Sequence, residues 1–481
     1  NGYGVTKNLK KAFEFYEKSA NQGYAEAQKN LGWMYANGHG VPQDNKLAVS
    51  WYKKAANQGN NVAQNNLGWM YFNGTGVTQD YVLALSWFTK AADQSYAEAE
   101  YGLGVMYFNG HGITQDYELA LSWFTKAADQ GFAQAQYNLG VIHSNGEGIL
   151  KNDKLAISWY KKAADQGNAD AQYNLGFMYV NGRGVPKSFD LGLDWYKSAA
   201  LQGHLQAIQE VGLMLLKDQG LEPAIDWFQK GIEAGNNESA FSLGLAYSDQ
   251  ESQYYDIELA INYLEIAYEL KDKDAANLLG IIYQWGSKIG YPGLEQDIKK
   301  AEYWFLKSAK EYDDASSQSF LANIYGQPDV WPEFHNETKS FYWAKKSADQ
   351  GHLNGMSTLA KKYEWGEGTN QSGEMAIKIY KDIIKKGDSN YSMQSLKHIG
   401  DIYSRGWTEI SRDYQKAKNY YLQAESMGDK ESQSLLGKIN VALDDYESAK
   451  KWFKKSGTED SLSSILTIDK ALEGDADSEY E

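Results

Sequence analysis

The chain has 481 residues, no cysteine, and 47 basic against 63 acidic residues, which gives a net charge of −16. The lack of cysteine excludes disulfide bonds, thiolate metal sites and a thiol nucleophile, and the negative charge disfavours contact with nucleic-acid phosphates. No apolar run reaches the roughly 18 residues of a membrane-spanning helix, so we expect neither a nucleic-acid partner nor direct membrane insertion.

A 36-residue period runs through the first part of the chain. The pair Leu31-Gly32 recurs at each step as Leu67-Gly68, Leu103-Gly104, Leu139-Gly140 and Leu175-Gly176. Periods of this length are typical of stacked helical hairpins, each of which buries its apolar face only against its neighbours. We therefore predict an all-α solenoid of stacked antiparallel helix hairpins.

The first helix of a repeat carries Ala27, Leu31, Met34 and Tyr35 at helical spacing, which predicts one apolar face. Gly32 lies at the edge of this face. Glycine inside a helix costs about 1 kcal/mol relative to alanine, so its return in successive repeats indicates a close approach of two helices. The segment from residue 37 to 40, Asn-Gly-His-Gly, then ends the helix.

The second helix begins after Asp44, whose side chain can cap free backbone amides. Residues of the same capping type follow at one-period steps: Asp80, Asp116, Asn152 and Ser188. Ala48, Trp51, Tyr52, Ala55 and Ala56 predict a packed face on this helix, with the aromatic residues stabilising the stack, and Gly59 ends it.

The combined pattern, Ala-x-Ala-Gln-x-x-Leu-Gly-x-Met-Tyr followed by Gly-x-Gly-Val, Asp and Trp-Tyr-x-Lys-Ala-Ala, resembles the Sel-1-like repeat (SLR), a relative of the tetratricopeptide repeat. The resemblance implies a right-handed superhelical solenoid. We expect about twelve hairpins and an N-terminal half hairpin. Regular repeats occupy residues 1–203, degenerate repeats with longer loops 204–460, and a capping helix with an acidic tail 461–481.

The longer loops lie between residues 286 and 297, 326 and 338, and 405 and 413. Insertions in solenoids can carry binding contacts, so we regard Trp331, Phe334 and Trp407 as tentative partner-binding residues, the first two as exposed. The alternative is neutral variation in loop length.

One side of the first helix differs from repeat to repeat, and a position that varies is free to serve a partner. By analogy with tetratricopeptide repeats, this side lines the concave groove. An apolar and aromatic stripe there indicates a partner site. Its predicted residues are Lys29, Trp33, Asn65, Trp69, Phe72, Tyr101, Val105, Phe108, Tyr137, Val141, Tyr173 and Phe177. The alternative is that these side chains pack between adjacent first helices.

The motifs of catalysis and cofactor binding are absent from the sequence: there is no phosphate-binding loop, zinc-protease helix or nucleophile elbow. His39 and His111 are two repeats apart, too far to share a metal, and we interpret His143 as a hydrogen-bonded core histidine. We therefore predict no metal, no cofactor and no enzyme activity.

The family resemblance implies an adaptor or scaffold. We expect a non-enzymatic protein that binds an effector, an enzyme or a complex subunit in its groove, as a monomer or a 1:1 complex. The chain opens inside a repeat, so we expect a signal segment to have been removed and the protein to be bacterial and periplasmic or secreted, with the cytoplasm as the alternative.

Three other functions stay open at this point. The first is an immunity protein that neutralises a phospholipase-type effector of type VI secretion. The second is a secreted virulence or host-interaction factor. A β-lactamase is the least favoured, because the family members described as β-lactamases are rich in cysteine.

Overall fold

The computed structural model describes residues 8–288, 290–407 and 409–478, and these residues form 26 α-helices. Within the described ranges the only β pairing is an isolated bridge between Trp407 and Ile410. The predicted all-α class of paired helices is thereby confirmed. The expected match of residues 1–5 to a repeat interior, and the side chains of the acidic tail from Gly474, lie outside what the structure describes.

The chain divides into two compact units, the first ending at Ser239 and the second beginning at Ala240. The first unit contains α1 (Leu9–Asn21), α2 (Ala25–Asn37), α3 (Asn45–Asn57), α4 (Asn61–Asn73), α5 (Tyr81–Ala92), α6 (Ala97–Asn109), α7 (Tyr117–Asp129), α8 (Ala133–Asn145), α9 (Asp153–Asp165), α10 (Ala169–Asn181), α11 (Phe189–Ala200), α12 (Leu205–Gln219) and α13 (Glu222–Glu233). The boundary between the units falls inside α14 (Asn237–Ser248).

The second unit continues with α15 (Ile257–Glu269), α16 (Ala275–Trp285), α17 (Ile298–Glu311), α18 (Ala315–Tyr325), α19 (Glu337–Asp349), α20 (Leu353–Trp365), α21 (Gly373–Lys385), α22 (Ser389–Arg405), α23 (Tyr414–Ser426), α24 (Glu431–Val441), α25 (Tyr446–Ser456) and α26 (Glu459–Ser478). Short 3-10 helices occupy Gly286–Lys288 and Pro332–Phe334. In the described chain, α1 is a half hairpin, α2 to α25 form twelve pairs, and α26 follows them, as the sequence predicts.

The predicted helix ends are confirmed. The Asp44 side chain accepts hydrogen bonds from the backbone N–H groups of Lys46 and Leu47 at the start of α3. At the end of α2, Gly38 has φ of 66°, a left-handed conformation that residues with a Cβ rarely adopt. The N-cap residue and the left-handed glycine together determine where the chain turns between the two helices of a hairpin.

The helices of a hairpin meet at the repeated glycine, as predicted. A Cβ atom placed on Gly32 would lie 2.8 Å from the Tyr52 ring, and one on Gly68 would lie 2.7 Å from the Phe88 ring. The ring that closes this contact follows the repeated tryptophan in sequence. Tyr52 is buried, whereas Trp51 is half-buried and has the Lys54 ammonium 3.8 Å from its ring centroid. The residue after the tryptophan is therefore the main aromatic packing element.

Successive hairpins are joined by a buried glutamine that the sequence analysis did not identify. Gln28 donates a hydrogen bond to the Ala20 carbonyl of the preceding helix and accepts one from the Gln58 side chain. The arrangement recurs at Gln64, Gln136 and Gln172. Each such glutamine satisfies a buried carbonyl while linking its own hairpin to its neighbour.

Within the first unit, α4 contacts α6 and α8 contacts α10, whereas second helices contact mainly the first helices that flank them. First helices are therefore the closer-packed set. We refer to the side of the stack formed by the first helices as the inner face and to the side formed by the second helices as the outer face. At the chain end, Ile468 of α26 packs against Ala449 and Phe453 of α25, while Leu462 and Leu466 are exposed. The predicted capping helix therefore contacts the last hairpin through the side that carries its isoleucines.

Candidate partner-binding site

The predicted stripe is most accessible at its two ends. The Trp33 side chain is 48% exposed and stacks on His39, with ring centroids 4.5 Å apart and planes 15° apart. Phe177 is 39% exposed, and the Arg183 guanidinium lies 5.7 Å from its ring centroid. Arg183 is itself held by Asp153 at 2.8 Å. Both exposed rings are thus fixed in place by a neighbouring side chain.

Residues of α2, α3, α4 and their connecting loops line an open depression of about 360 Å³, to which both Trp33 and Trp69 contribute. Apolar and carboxamide side chains form most of the lining. Its residues are Trp33, Ala36, Asn37, Gln43, Asn45, Tyr52, Asn66, Trp69, Met70, Asn73 and Thr75. A depression lined by apolar rings and amide groups can hold one apolar side chain of a ligand and orient it by hydrogen bonds.

Trp69 is half-buried. Its ring makes edge contacts with Phe88 and Phe72, at centroid distances of 5.0 and 5.3 Å, and lies 6.3 Å from Tyr101 in the neighbouring first helix. These contacts join α4 to α5 and α6. Trp69 therefore packs between helices, the alternative considered for the stripe, and it also forms part of the depression.

Lys29 and the residues at the same position in later repeats form one column of the stripe. Their side chains are largely used for contacts within the stack. Lys29 is paired with Glu26 at 2.7 Å, and buried Asn65 donates a hydrogen bond to Glu98 of α6. Tyr101, Tyr137 and Tyr173 are half-buried beside aromatic rings, and burial raises the pKa of all three phenols. This column consists of packing and hydrogen-bonding residues with partly accessible edges.

The rest of the stripe lies between these extremes. Phe72 contacts Tyr81 and His111, with centroid distances of 5.3 and 5.2 Å, and Phe108 contacts Tyr117 at 5.4 Å. Val105 and Val141 are half-buried against the cores of their own repeats. Of the predicted stripe residues, Trp33 and Phe177 are the exposed side chains.

The expected exposure of Trp331 is wrong. Its side chain is only 9% exposed, because the loop folds back and inserts the indole into the second unit's core near Tyr325 and Trp343. Phe334 is half-buried against the same core. Trp407 is also half-buried, with its ring centroid 5.8 Å from that of Trp365.

The second unit also contains a buried carboxylate that the sequence analysis did not identify. Glu364 accepts a hydrogen bond of 2.9 Å from the Tyr380 hydroxyl, and its carboxylate lies 3.1 Å from Nδ1 of His398. The imidazole of His398 stacks on the Tyr380 ring at 5.1 Å. Burial and the neighbouring carboxylate raise the pKa of Tyr380 well above its usual value, so this phenol stays protonated.

Two of the histidines, His39 and His111, pack against aromatic rings. His39 stacks on Trp33 and His111 on Tyr81, and among the described residues no group of three or more possible ligands could hold a metal ion. The interpretation of His143 as a hydrogen-bonded core residue is wrong: it is half-buried, and its Nδ1 has no hydrogen-bond partner among the described residues. Burial lowers the pKa of this imidazole.

Comparison with known families accounts for the period. The Sel1 repeat model matches twelve segments: residues 1–24, 25–60, 61–96, 97–132, 133–168, 169–204, 207–236, 237–272, 273–313, 315–352, 395–429 and 436–461. The chain belongs to the Sel1 repeat family. The SLR resemblance expected from the residues is therefore confirmed, in the degenerate region as well as in the regular one.

Among solved structures, this Sel1 repeat chain is similar to c5321, a protective antigen of uropathogenic Escherichia coli strains with an SLR fold. The two share 27% identity over 95% of this chain and 97% of the other, with a TM-score of 0.57. A Sel1 repeat protein from Oxalobacter formigenes shares 32% identity over 46% of this chain and 91% of its own, with a TM-score of 0.43. Immunity protein Pa5087 from Pseudomonas aeruginosa shares 21% identity over 45% and 81%, with a TM-score of 0.28.

None of the described helices combines the length and the apolar character needed to span a bilayer. Sel1 repeat stacks are suited to protein–protein interaction, because each hairpin adds surface to a continuous inner face. The coarse function expected from the sequence, an interaction scaffold, agrees with this membership.

Proposed function

We propose that this protein is a non-enzymatic scaffold that binds a protein partner on the inner face of its first unit. The observation that carries the proposal is Trp33, a half-exposed tryptophan that lines a depression together with several amide side chains. Tryptophan is enriched among the residues that dominate binding energy at protein interfaces. A bulky apolar side chain of the partner would fill the depression against the two indole rings.

Phe177 supplies a second contact at the other end of the stripe. Arg183 lies beside its ring and is fixed by Asp153, so an aromatic and a cationic group are presented together. Fixed side chains lose little conformational entropy when a partner binds. A partner that spans the stripe would thus contact Trp33 at one end and Phe177 at the other.

We also propose a location outside the bacterial cytoplasm. The support is the likeness to the Escherichia coli protective antigen, which extends over nearly the whole of both chains. Fractionation of the native host, followed by protease treatment of intact cells and spheroplasts, tests this location. Recovery of the protein only with cytoplasmic markers would contradict it.

The binding proposal is tested by affinity capture from the native host with the purified chain as bait. Trp33→Ser together with Phe177→Ser should abolish capture of the partner that the unmodified chain enriches, with little change in the melting temperature, because both rings are substantially exposed. Tyr24→Ser, on an exposed aromatic residue outside the stripe, is the matched control and should retain capture. Equal enrichment by the double variant would refute binding at the stripe.

A further inference from the structure

The outer face of the first unit carries a row of partly exposed leucines. One leucine stands three residues after the N-cap of each second helix from α3 to α11, and all five are between 38% and 47% exposed. They are Leu47, Leu83, Leu119, Leu155 and Leu191. We refer to these five residues as the leucine row. Single exposed apolar residues are ordinary on protein surfaces, but an aligned series is not.

Neighbouring positions show that the leucines are not merely copied along with the repeat. The position just before them reads Lys46, Val82, Glu118, Lys154 and Asp190, so the helix surface has diverged there while the leucine has stayed. In the second unit the equivalent position holds Leu259, Lys300, Lys339, Met375, Lys416 and Ser448, and the helices form regardless. Hairpin packing therefore does not require leucine at this position.

A row of lysines runs beside the leucine row. Leu47, Ser50, Trp51 and Lys54 lie at i, i+3, i+4 and i+7 and so share one face of α3. The ammonium groups of Lys54, Lys90, Lys126 and Lys162 lie between 3.8 and 4.1 Å from the ring centroids of Trp51, Trp87, Trp123 and Trp159. In α3, α5, α7 and α9 the outer face thus presents leucines, small serines and ordered positive charges in parallel, whereas α11 has Asp194 and Ser198 at the serine and lysine positions.

The repeat spacing suits a helix laid across the hairpins. Packed helices lie about 8–10 Å apart, and consecutive second helices pack on the first helix between them, so neighbouring leucines are between about 10 and 20 Å apart. A helix rises about 1.5 Å per residue, and seven residues therefore advance about 10.5 Å. A partner helix with an apolar residue at every seventh position therefore presents one continuous apolar side along the leucine row.

We propose that the leucine row is a second docking surface, which binds an acidic amphipathic helix of a protein partner. The apolar side of that helix covers the leucines, and its carboxylates face the lysine row. A second copy of this chain is a poorer occupant, because two lysine rows would then oppose each other in a protein whose net charge of −16 already disfavours self-association. None of the five leucines lines the Trp33 depression, so binding at either surface can fail without the other.

The probe for the test is a synthetic helical peptide of about 29 residues. It has leucine at every seventh position and is rich in glutamate on its other faces. Its binding to the full chain is followed by fluorescence anisotropy. A peptide of the same composition with its leucines scattered around the helix is the negative probe. We expect the patterned peptide to bind and the scattered one not to bind. Equal binding of the two peptides would overturn the proposal.

The variant Leu83→Ser, Leu119→Ser, Leu155→Ser should raise the Kd of the patterned peptide more than about tenfold, with an unchanged circular dichroism spectrum. Serine stands naturally at this position in α25, as Ser448. Val82→Ser, at the exposed neighbouring position, and Trp33→Ser, on the inner face, are matched controls and should leave the Kd unchanged.

An unchanged Kd in the triple variant would refute the role of the leucines. Sedimentation velocity of the unmodified chain tests the other occupant. A dimer that the triple variant converts to monomer would assign the surface to a second copy and overturn the proposed acidic helix, whereas a monomer in both supports it.

Discussion

The backbone of Gly104 lies directly against the ring of Phe124: a Cβ atom on the glycine would stand 2.5 Å from the ring carbon Cδ1. The phenylalanine is buried, and both residues belong to one hairpin, α6 with α7. Because the Phe124 ring is buried, it cannot move away from an added Cβ atom without displacing its neighbours. The same relationship holds Gly32 to Tyr52 and Gly176 to Tyr196, so it sets the separation of the two helices in each of these hairpins.

Gly104→Ala should therefore destabilise the chain, although alanine favours helices. Overpacking of this kind costs about 1–3 kcal/mol, measured as the free energy of unfolding in urea by circular dichroism. Adding Phe124→Leu should recover part of the loss, because a leucine, Leu264, occupies the corresponding place opposite Gly244. Strictly additive losses in the double variant would show that the two residues do not act through this contact.

Glu100 occupies the place of the buried glutamines that link hairpins. It accepts a hydrogen bond of 2.6 Å from Gln130, but an ionised carboxylate cannot donate to the Ala92 carbonyl as Gln64 does to Ala56. Glu100→Gln should restore that donor and raise the free energy of unfolding by about 1 kcal/mol at pH 7. Chemical denaturation measures the change.

The gain from Glu100→Gln should depend on pH. Burial raises the pKa of Glu100 above its usual 4.5, against smaller opposing effects of Lys126 and Gln130. The folded state therefore holds this proton more tightly than the unfolded state, and the unmodified chain loses stability as the pH rises through the raised pKa. The advantage of the variant should be smallest below pH 4.5 and grow toward neutrality; a constant difference would contradict the assignment.

His143 should make the unmodified chain sensitive to mild acid. Burial lowers its pKa below the usual 6.5, so its contribution to stability is fully present above pH 6.5 and is lost as the pH falls through the lowered folded value. Tyrosine stands at this position in other repeats, as Tyr107 and Tyr179. His143→Tyr should therefore reduce the fall in melting temperature between pH 7 and pH 5, although His352, whose pKa burial also lowers, retains its share.

Trp331→Ala should destabilise the second unit strongly, by about 3–5 kcal/mol, since it removes a buried indole from the core. Val330→Ala changes an exposed neighbour in the same loop and should have little effect. Thermal unfolding of both variants by circular dichroism makes the comparison. Equal melting temperatures for the two variants would mean that the loop does not anchor in the core.

Much of the fold could be predicted because the repeats compare the chain with itself. Asp44 and Gly38 act through local backbone geometry, and their conformations are those expected from their residue types. Trp331 could not be predicted in this way. A loop tryptophan in a region of irregular length has no counterpart in other repeats, and its burial depends on contacts made only after the chain folds back.

The candidate site, too, could be predicted only in part from the sequence. Recurrence along the sequence identified the face that carries Trp33 and Trp69, since residues on one side of a helix return at fixed spacing. It could not tell that Trp33 is exposed while Asn65 is buried, because these residues occupy columns only four positions apart. The packing of the hairpins decides how closely adjacent first helices approach, and thereby how much of each side chain remains accessible.

The sequence by itself determined the helical hairpins, their ends and their number, because caps, glycines and apolar spacing are local properties repeated along one chain. Only the tertiary structure decided which aromatic ring closes on Gly104, that Trp331 enters a core, and that the leucine row stays at the surface. Burial depends on the distance between elements remote in sequence, and that distance follows from the packing of all the hairpins together.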